Sequence, residues 1–317
     1  MKTINKKEQA IQEYYKLYEL PLKTLQQQAN DLTTKNFKNK IELCSIISAK
    51  TGQCSEDCSY CAQSVHHKTD CKTHQLIDVE TVVNAANDSK INGASRFCVV
   101  TSGKGIDNNH EFDKVLKMVK KVADIDGLHS CCSLGIVSYE QAVKLKEAGV
   151  ERFNHNVNTA KSFYKNICTT HDYEERIQTA INIKSAGIEL CCGCIIGMGE
   201  TRQQRIEMAL EIKELEPVSV PINILHPIPG TPMEKVKNTI DTEEILKTIA
   251  IFRIIMPDVL IRYAGGRTHN LNTAEQLEGL KCGVNALLVG NYLTTTGNLP
   301  DNDHKLISEA KLEILKD

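Results

Sequence analysis

No run of the roughly eighteen or more consecutive apolar residues that a bilayer-crossing helix needs occurs in the 317-residue chain, so no membrane span is expected. The opening stretch MKTINKKEQAIQEYYKLYEL also lacks the apolar centre of a secretory signal, which predicts a cytoplasmic protein. Excess charge of either sign is missing too. With 38 basic and 40 acidic residues the formal net charge is −2, which gives no electrostatic reason to expect nucleic acid as a partner.

What the chain does have is cysteine, 13 in all. A reducing compartment argues against disulfides, which leaves metal binding, catalysis or inert buried thiols. In TGQCSEDCSYCAQ, Cys54, Cys58 and Cys61 are spaced C-x3-C-x2-C. A structural zinc site is closed by four ligands, and no fourth Cys or His completes this spacing. A 4Fe-4S cluster on three thiolates keeps one iron without a protein ligand. The amino and carboxylate groups of S-adenosylmethionine (SAM) can chelate that iron, and an electron from the cluster can then cleave the sulfonium to a 5'-deoxyadenosyl radical. A zinc loop or unrelated thiols are the alternative reading.

Short apolar segments such as LCSII, RFCVV, RFNHNV, CIIG, VPINIL, VLIRYA and ALLV alternate with helical patterns such as EFDKVLKMVKKVADI, YEERIQTAINIKSA and RQQRIEMALEIKELE. Gly93, Gly149, Gly187 and Gly283 read as helix stops ahead of the next strand. Roughly seven or eight such units without a linker predict a (β/α)8 TIM-type barrel over residues 40–317 with a short N-terminal helical extension over residues 1–39. A doubly wound open sheet is the structural alternative. Alternation along parallel strands would let Cys98, Cys131 and Cys191, from three strands, converge inside such a barrel, although a lone strand cysteine is usually a small hydrophobe. It also places Cys191 on the face opposite Cys192 and Cys194. The same periodicity places Asn154, Asn156 and Asn158 on one inward face, where three amides call for a polar ligand.

The triplet, with the aromatic Tyr60 before its third cysteine, resembles the radical SAM superfamily. GCIIGMGE resembles that superfamily's SAM-lining strand, which nominates Gly193, Ile195, Gly197 and Glu200 for the cofactor. At closer range TGQCSEDCSYCAQ, SRFCVV, FNHNVNTA, YEERI, CCGCIIGMGET, VPINILHPIPGTP and IRYAGGR follow the order of the biotin synthase family, from about Ile41 to LLVGNYLTTTG. The resemblance implies sulfur insertion between two unactivated carbons of dethiobiotin, in a homodimer that draws on an electron donor such as flavodoxin or ferredoxin and on iron-sulfur assembly machinery.

It further implies an auxiliary iron-sulfur cluster on Cys98, Cys131, Cys191 and Arg262. That cluster is expected to be 2Fe-2S, with a 4Fe type as the alternative because of the extra thiols Cys132, Cys192 and Cys194. By the same resemblance Asn154, Asn156 and Asn223 contact dethiobiotin, Asn156 and Asn158 contact SAM, and Arg176 pairs with the SAM carboxylate. Asn158 stands where the family usually has aspartate, which predicts a weaker grip on SAM. Arg96 is a candidate for balancing cluster charge, and His155 reads as structural. Cys44, Cys71, Cys168 and Cys282 read as ordinary thiols. Two rivals stay open on the residues alone: another radical SAM barrel such as a maturase or mutase, and a non-enzymatic metal-cluster protein.

Overall fold

The computed structural model describes residues 6–236, 240–290 and 297–315. The part of LLVGNYLTTTG from 291 to 296 lies outside them.

The strands are β1 (Lys40–Lys50), β2 (Arg96–Thr101), β3 (His129–Ser133), β4 (Arg152–Asn154), β5 (Glu189–Cys191), β6 (Cys194–Ile196), β7 (Ser219–Ile224), β8 (Leu260–Tyr263), β9 (Ala286–Leu288) and β10 (Glu313–Ile314). All pairings between them are parallel, and β1 pairs with β9 to close the ring. Because β5 and β6 both pair with β7, they are two halves of one stave. Among the described residues the sheet is therefore an eight-stave barrel, with β10 added beside the start of β1. The expected closed barrel is what forms, and the open-sheet alternative is not.

Helices α3 (Val79–Ile91), α4 (Asn109–Ala123), α5 (Tyr139–Glu147), α6 (Tyr173–Ser185), α7 (Arg202–Glu214), α8 (Thr242–Ile255) and α9 (Thr273–Lys281) follow successive staves. Caps start them where the sequence offers Ser, Thr, Asp or Asn. Ser138, Asp172, Thr201 and Asn272 each make a reciprocal capping box with the residue three further on. Gly93, Gly149, Gly187 and Gly283 all take positive φ at the helix ends. The apolar core lies between staves and helices, and Cys132, Cys192, Cys194 and Cys282 are buried in it.

The N-terminal segment, α1 (Lys6–Tyr15), a 3-10 turn (Lys16–Glu19) and α2 (Leu22–Phe37), packs outside the barrel. Tyr18 fixes it there: its hydroxyl meets Thr248 Oγ1 at 2.9 Å, and its ring lies under the guanidinium groups of Arg202 and Arg205. No described helix is long and apolar enough to cross a membrane.

Candidate functional site

Period two along parallel staves builds the barrel interior in layers. The lowest is charged. Glu42 of β1 accepts from Arg96 Nε at 2.8 Å, from Arg152 Nη1 at 2.9 Å and from Arg262 Nη2. Burial pushes the Glu42 carboxyl up in pKa, and the three guanidinium groups outweigh that and hold it at about 2. Two residues further along the same strands comes a layer of thiols and an amide: Cys44, Cys98, Cys131, Asn154 and Cys191. In register, Cys98 pairs with Cys131, and Asn154 with Cys191.

These residues line one cavity of about 320 Å³, which Tyr60, Cys61, Asn156, Ile195, Asn223 and Arg262 also line. That volume suits a small molecule. Without a metal these thiols are held protonated. Burial raises the pKa of Cys98, and raises that of Cys131 to about 12, with the neighbouring thiols adding to it. A thiol-rich pocket over a floor of three arginines fits a metal-sulfur group, because the guanidinium charges offset those of ligating thiolates.

Above the thiol layer, the loop after β1 carries Cys54, Cys58 and Cys61, all free and half-buried. Cys54 N donates to Gln63 O at 3.0 Å, Val65 N to Cys54 O at 2.9 Å, and Cys61 N to Cys58 O at 2.9 Å. Those bonds fold the triplet into a compact turn. Gly52 begins the turn at φ +78°, where a Cβ would stand 2.3 Å from the Thr73 side chain. Three thiols carried on one compact turn suit a 4Fe-4S cluster with one open iron.

The three candidate substrate amides differ in what they are free to do. Asn154 Oδ1 is buried without a partner. Asn156 Oδ1 accepts from Gly193 N at 2.9 Å, and Asn223 joins two elements, donating to Cys194 O at 2.9 Å and accepting from Gly265 N at 2.9 Å. β4 ends at Asn154, and Asn158 turns to φ +70°, so it leaves the inward face that strict alternation predicted. Its backbone instead bonds Gly193 O and Ile195 N. Arg176 donates through Nε to Asn156 O at 2.6 Å and reaches His171 Nε2 at 3.2 Å. His155 is buried and is not among the residues that line the cavity.

The SAM-strand candidates form the broken stave. At Gly193 a Cβ would lie 1.9 Å from Pro221 O, so the strand can cross there only as glycine. Glu200 accepts from Gly197 N and Met198 N, both at 2.8 Å, and holds the turn after the strand. Gly266, at φ +79°, approaches Ile224 O, as expected for a close-packed Gly-Gly pair.

Two thiols read as ordinary lie in these sites. Cys44 packs with Cys98 and Cys131. Cys168 Sγ is 3.7 Å from Cys58 Sγ. The signal for Cys44 was its parity: it stands two residues beyond Glu42, as Cys98 stands two beyond Arg96.

A parallel barrel with a three-thiol loop at the carboxyl end of its first strand defines a radical SAM enzyme. Residues 49–212 match the family model for the radical SAM superfamily, and residues 221–313 match that for the Biotin and Thiamin Synthesis associated domain. The crystal structure of methylornithine synthase (PylB) superposes with a TM-score of 0.82 over 96% of this chain and 94% of that one, at 17% identity, a likeness of fold alone. The chain is 50% identical to the biotin synthase of Acetivibrio thermocellus over 286 residues, 90% of this chain and 88% of the relative. It is 44% identical to that of Clostridium tetani over 306 residues, 96% and 93% respectively. The chain belongs to the biotin synthase family.

Proposed function

We propose that this chain is a biotin-forming radical SAM sulfurtransferase that inserts sulfur into dethiobiotin. The observation that carries the reading is a single cavity lined at once by the triplet loop, through Tyr60 and Cys61, and by Cys98, Cys131 and Cys191. Hydrogen abstraction and sulfur capture must happen on one bound substrate, so both cofactor sites have to open onto one space.

Cys54, Cys58 and Cys61 would hold the 4Fe-4S cluster, which with SAM would supply the hydrogen-abstracting radical chemistry. Arg176 binds the SAM carboxylate, and the Gly193–Gly197 strand lies along its adenine. Asn154 Oδ1 accepts from a urea N–H of dethiobiotin, a pairing that adds no charge to a buried site. Asn156 and Asn223 keep the walls fixed through the bonds they make to Gly193, Cys194 and Gly265. Enclosure keeps water from the carbon radical.

Cys44, Cys98, Cys131 and Cys191 hold the auxiliary cluster that supplies sulfide. Four thiols facing one space favour a four-iron type, and Arg262, engaged with Glu42, Leu287 O and Ser219 Oγ, stands as a charge partner. A 2Fe-2S cluster with Arg262 as fourth ligand is the second reading, favoured by the place of Arg262 in the same cavity wall. Flavodoxin or ferredoxin supplies electrons, assembly machinery supplies the clusters, and the chain works as a cytoplasmic homodimer.

The test is anaerobically reconstituted protein given SAM, reductant and dethiobiotin, with products followed by mass spectrometry. Both 5'-deoxyadenosine and biotin are expected; 5'-deoxyadenosine without biotin refutes the substrate, and neither product refutes the mechanism. Iron counts on the parent and on Cys44→Ser decide the auxiliary cluster: about eight irons per chain in the parent, with auxiliary iron lost in the variant, supports the four-thiol reading, and about six in both supports Arg262.

A further inference from the structure

The triplet loop is docked onto the segment between Lys161–Asn166 and α6. Ser59 N donates to Ile167 O at 2.8 Å, and the Asp57 carboxylate accepts from Thr169 N at 2.9 Å. Docking brings three soft or borderline donors together in a buried place: Cys58 Sγ, Cys168 Sγ and a ring nitrogen of His171, all within 4.8 Å of one another. The distances carry more information than the proximity. A tetrahedral zinc ion with Zn–S of about 2.3 Å and Zn–N of about 2.0 Å sets its sulfurs about 3.8 Å apart and its sulfur and nitrogen about 3.6 Å apart. Here Cys58 Sγ and Cys168 Sγ are 3.7 Å apart, and Cys168 Sγ is 3.2 Å from His171 Nδ1. Glu56 Oε2 lies 2.5 Å from Nδ1, a hydrogen bond closer than the roughly 3.3 Å between two ligands of one zinc, so Glu56 orients the ring and leaves Nε2, 3.8 Å from Cys168 Sγ, as the metal-facing nitrogen.

We propose that, when the radical cluster is absent, Cys58, Cys168 and His171 bind one zinc ion, with Glu56 holding the His171 ring and water taking the fourth position. Charge supports it. Two thiolates balance a divalent cation, and the guanidinium of Arg176, at 3.2 Å from His171 Nε2 in the empty site, yields that nitrogen to the metal and stays beside the Glu56 carboxylate's charge. Binding releases the thiol protons to the buffer, His171 keeps its Nδ1 proton on Glu56, and no electrons move. Because Cys58 serves both sites, zinc and the three-thiol cluster exclude each other. Zinc thus guards the loop against misloading until assembly machinery removes the ion, or blocks the enzyme when zinc is in excess.

The probe is cobalt(II), titrated into the full-length cluster-free chain and read by thiolate-to-cobalt charge-transfer absorption. Cys168→Ser is expected to lose one bound equivalent, and His171→Asn, which keeps every thiol, to bind at least about tenfold more weakly. Cys54→Ser and Cys61→Ser are expected to keep the parent affinity. If Cys168→Ser bound as the parent does, or Cys54→Ser lost as much as Cys168→Ser, the site would be refuted. Near-ultraviolet circular dichroism of each variant checks the fold. A second arm rests on the three-thiol cluster reading, which the cobalt arm does not need: zinc loaded first should slow cluster reconstitution in the parent and not in Cys168→Ser. Equal slowing in both would overturn the sharing of Cys58.

Discussion

At the scale of single residues, the layers of the barrel explain why some side chains reach the cavity. Glu42 is the keystone of the charged floor, since Arg96, Arg152 and Arg262 all donate to it. Glu42→Gln leaves buried guanidinium groups without their carboxylate and is expected to destabilise the fold by about 3–5 kcal/mol, read by urea unfolding. Asn158 has a different consequence. Aspartate tolerates the same left-handed backbone and would add a charged acceptor, so Asn158→Asp is expected to tighten SAM by about fivefold in equilibrium dialysis. An unchanged dissociation constant would refute that role. The triplet and the strand cysteines were legible in the sequence, because spacing and parity are one-dimensional. Cys44 and Cys168 were not, because what distinguishes them is which neighbour the barrel register and the docked loop bring to them.

At the scale of elements, most staves and helices could be read from period, caps and glycine stops. The stave that breaks into β5 and β6 could not, since the cause is a close approach of Gly193 to Pro221 on another strand. The N-terminal segment likewise reads as helix, but its seat depends on a junction. Glu244 of α8 pairs with Arg202 at 2.6 Å and with Arg205 at 2.9 Å, and Tyr18 lies against both guanidinium groups. Burial raises the Glu244 pKa, and the two arginines outweigh that and bring it below its ordinary 4.5. A carboxyl lowered in the folded state contributes stability that is fully present above its unfolded pKa and is lost as pH falls through the folded one. Unfolding free energy should therefore drop on acidification below about pH 4.5 less steeply in Glu244→Gln than in the parent. Glu244→Gln should also be about 2 kcal/mol less stable at neutral pH. Parallel curves for the two proteins would show that the pair adds nothing to the seat.

For the whole molecule, barrel closure brings the two thiol sets onto one space. The thiols stand on five segments far apart in sequence, and only the ring of parallel staves makes them neighbours. Radical SAM barrels with other chemistry share the outline, as methylornithine synthase does at 17% identity. In this chain the cavity carries a thiol layer above a charged floor. The central claim is that sulfur held by that layer ends in the product. It is tested by rebuilding the clusters with sulfide enriched in sulfur-34, removing free sulfide, and running a single turnover with SAM, reductant and dethiobiotin. Biotin carrying the heavy isotope is expected; biotin with natural-abundance sulfur, made at the same yield, would show that the sulfur comes from elsewhere.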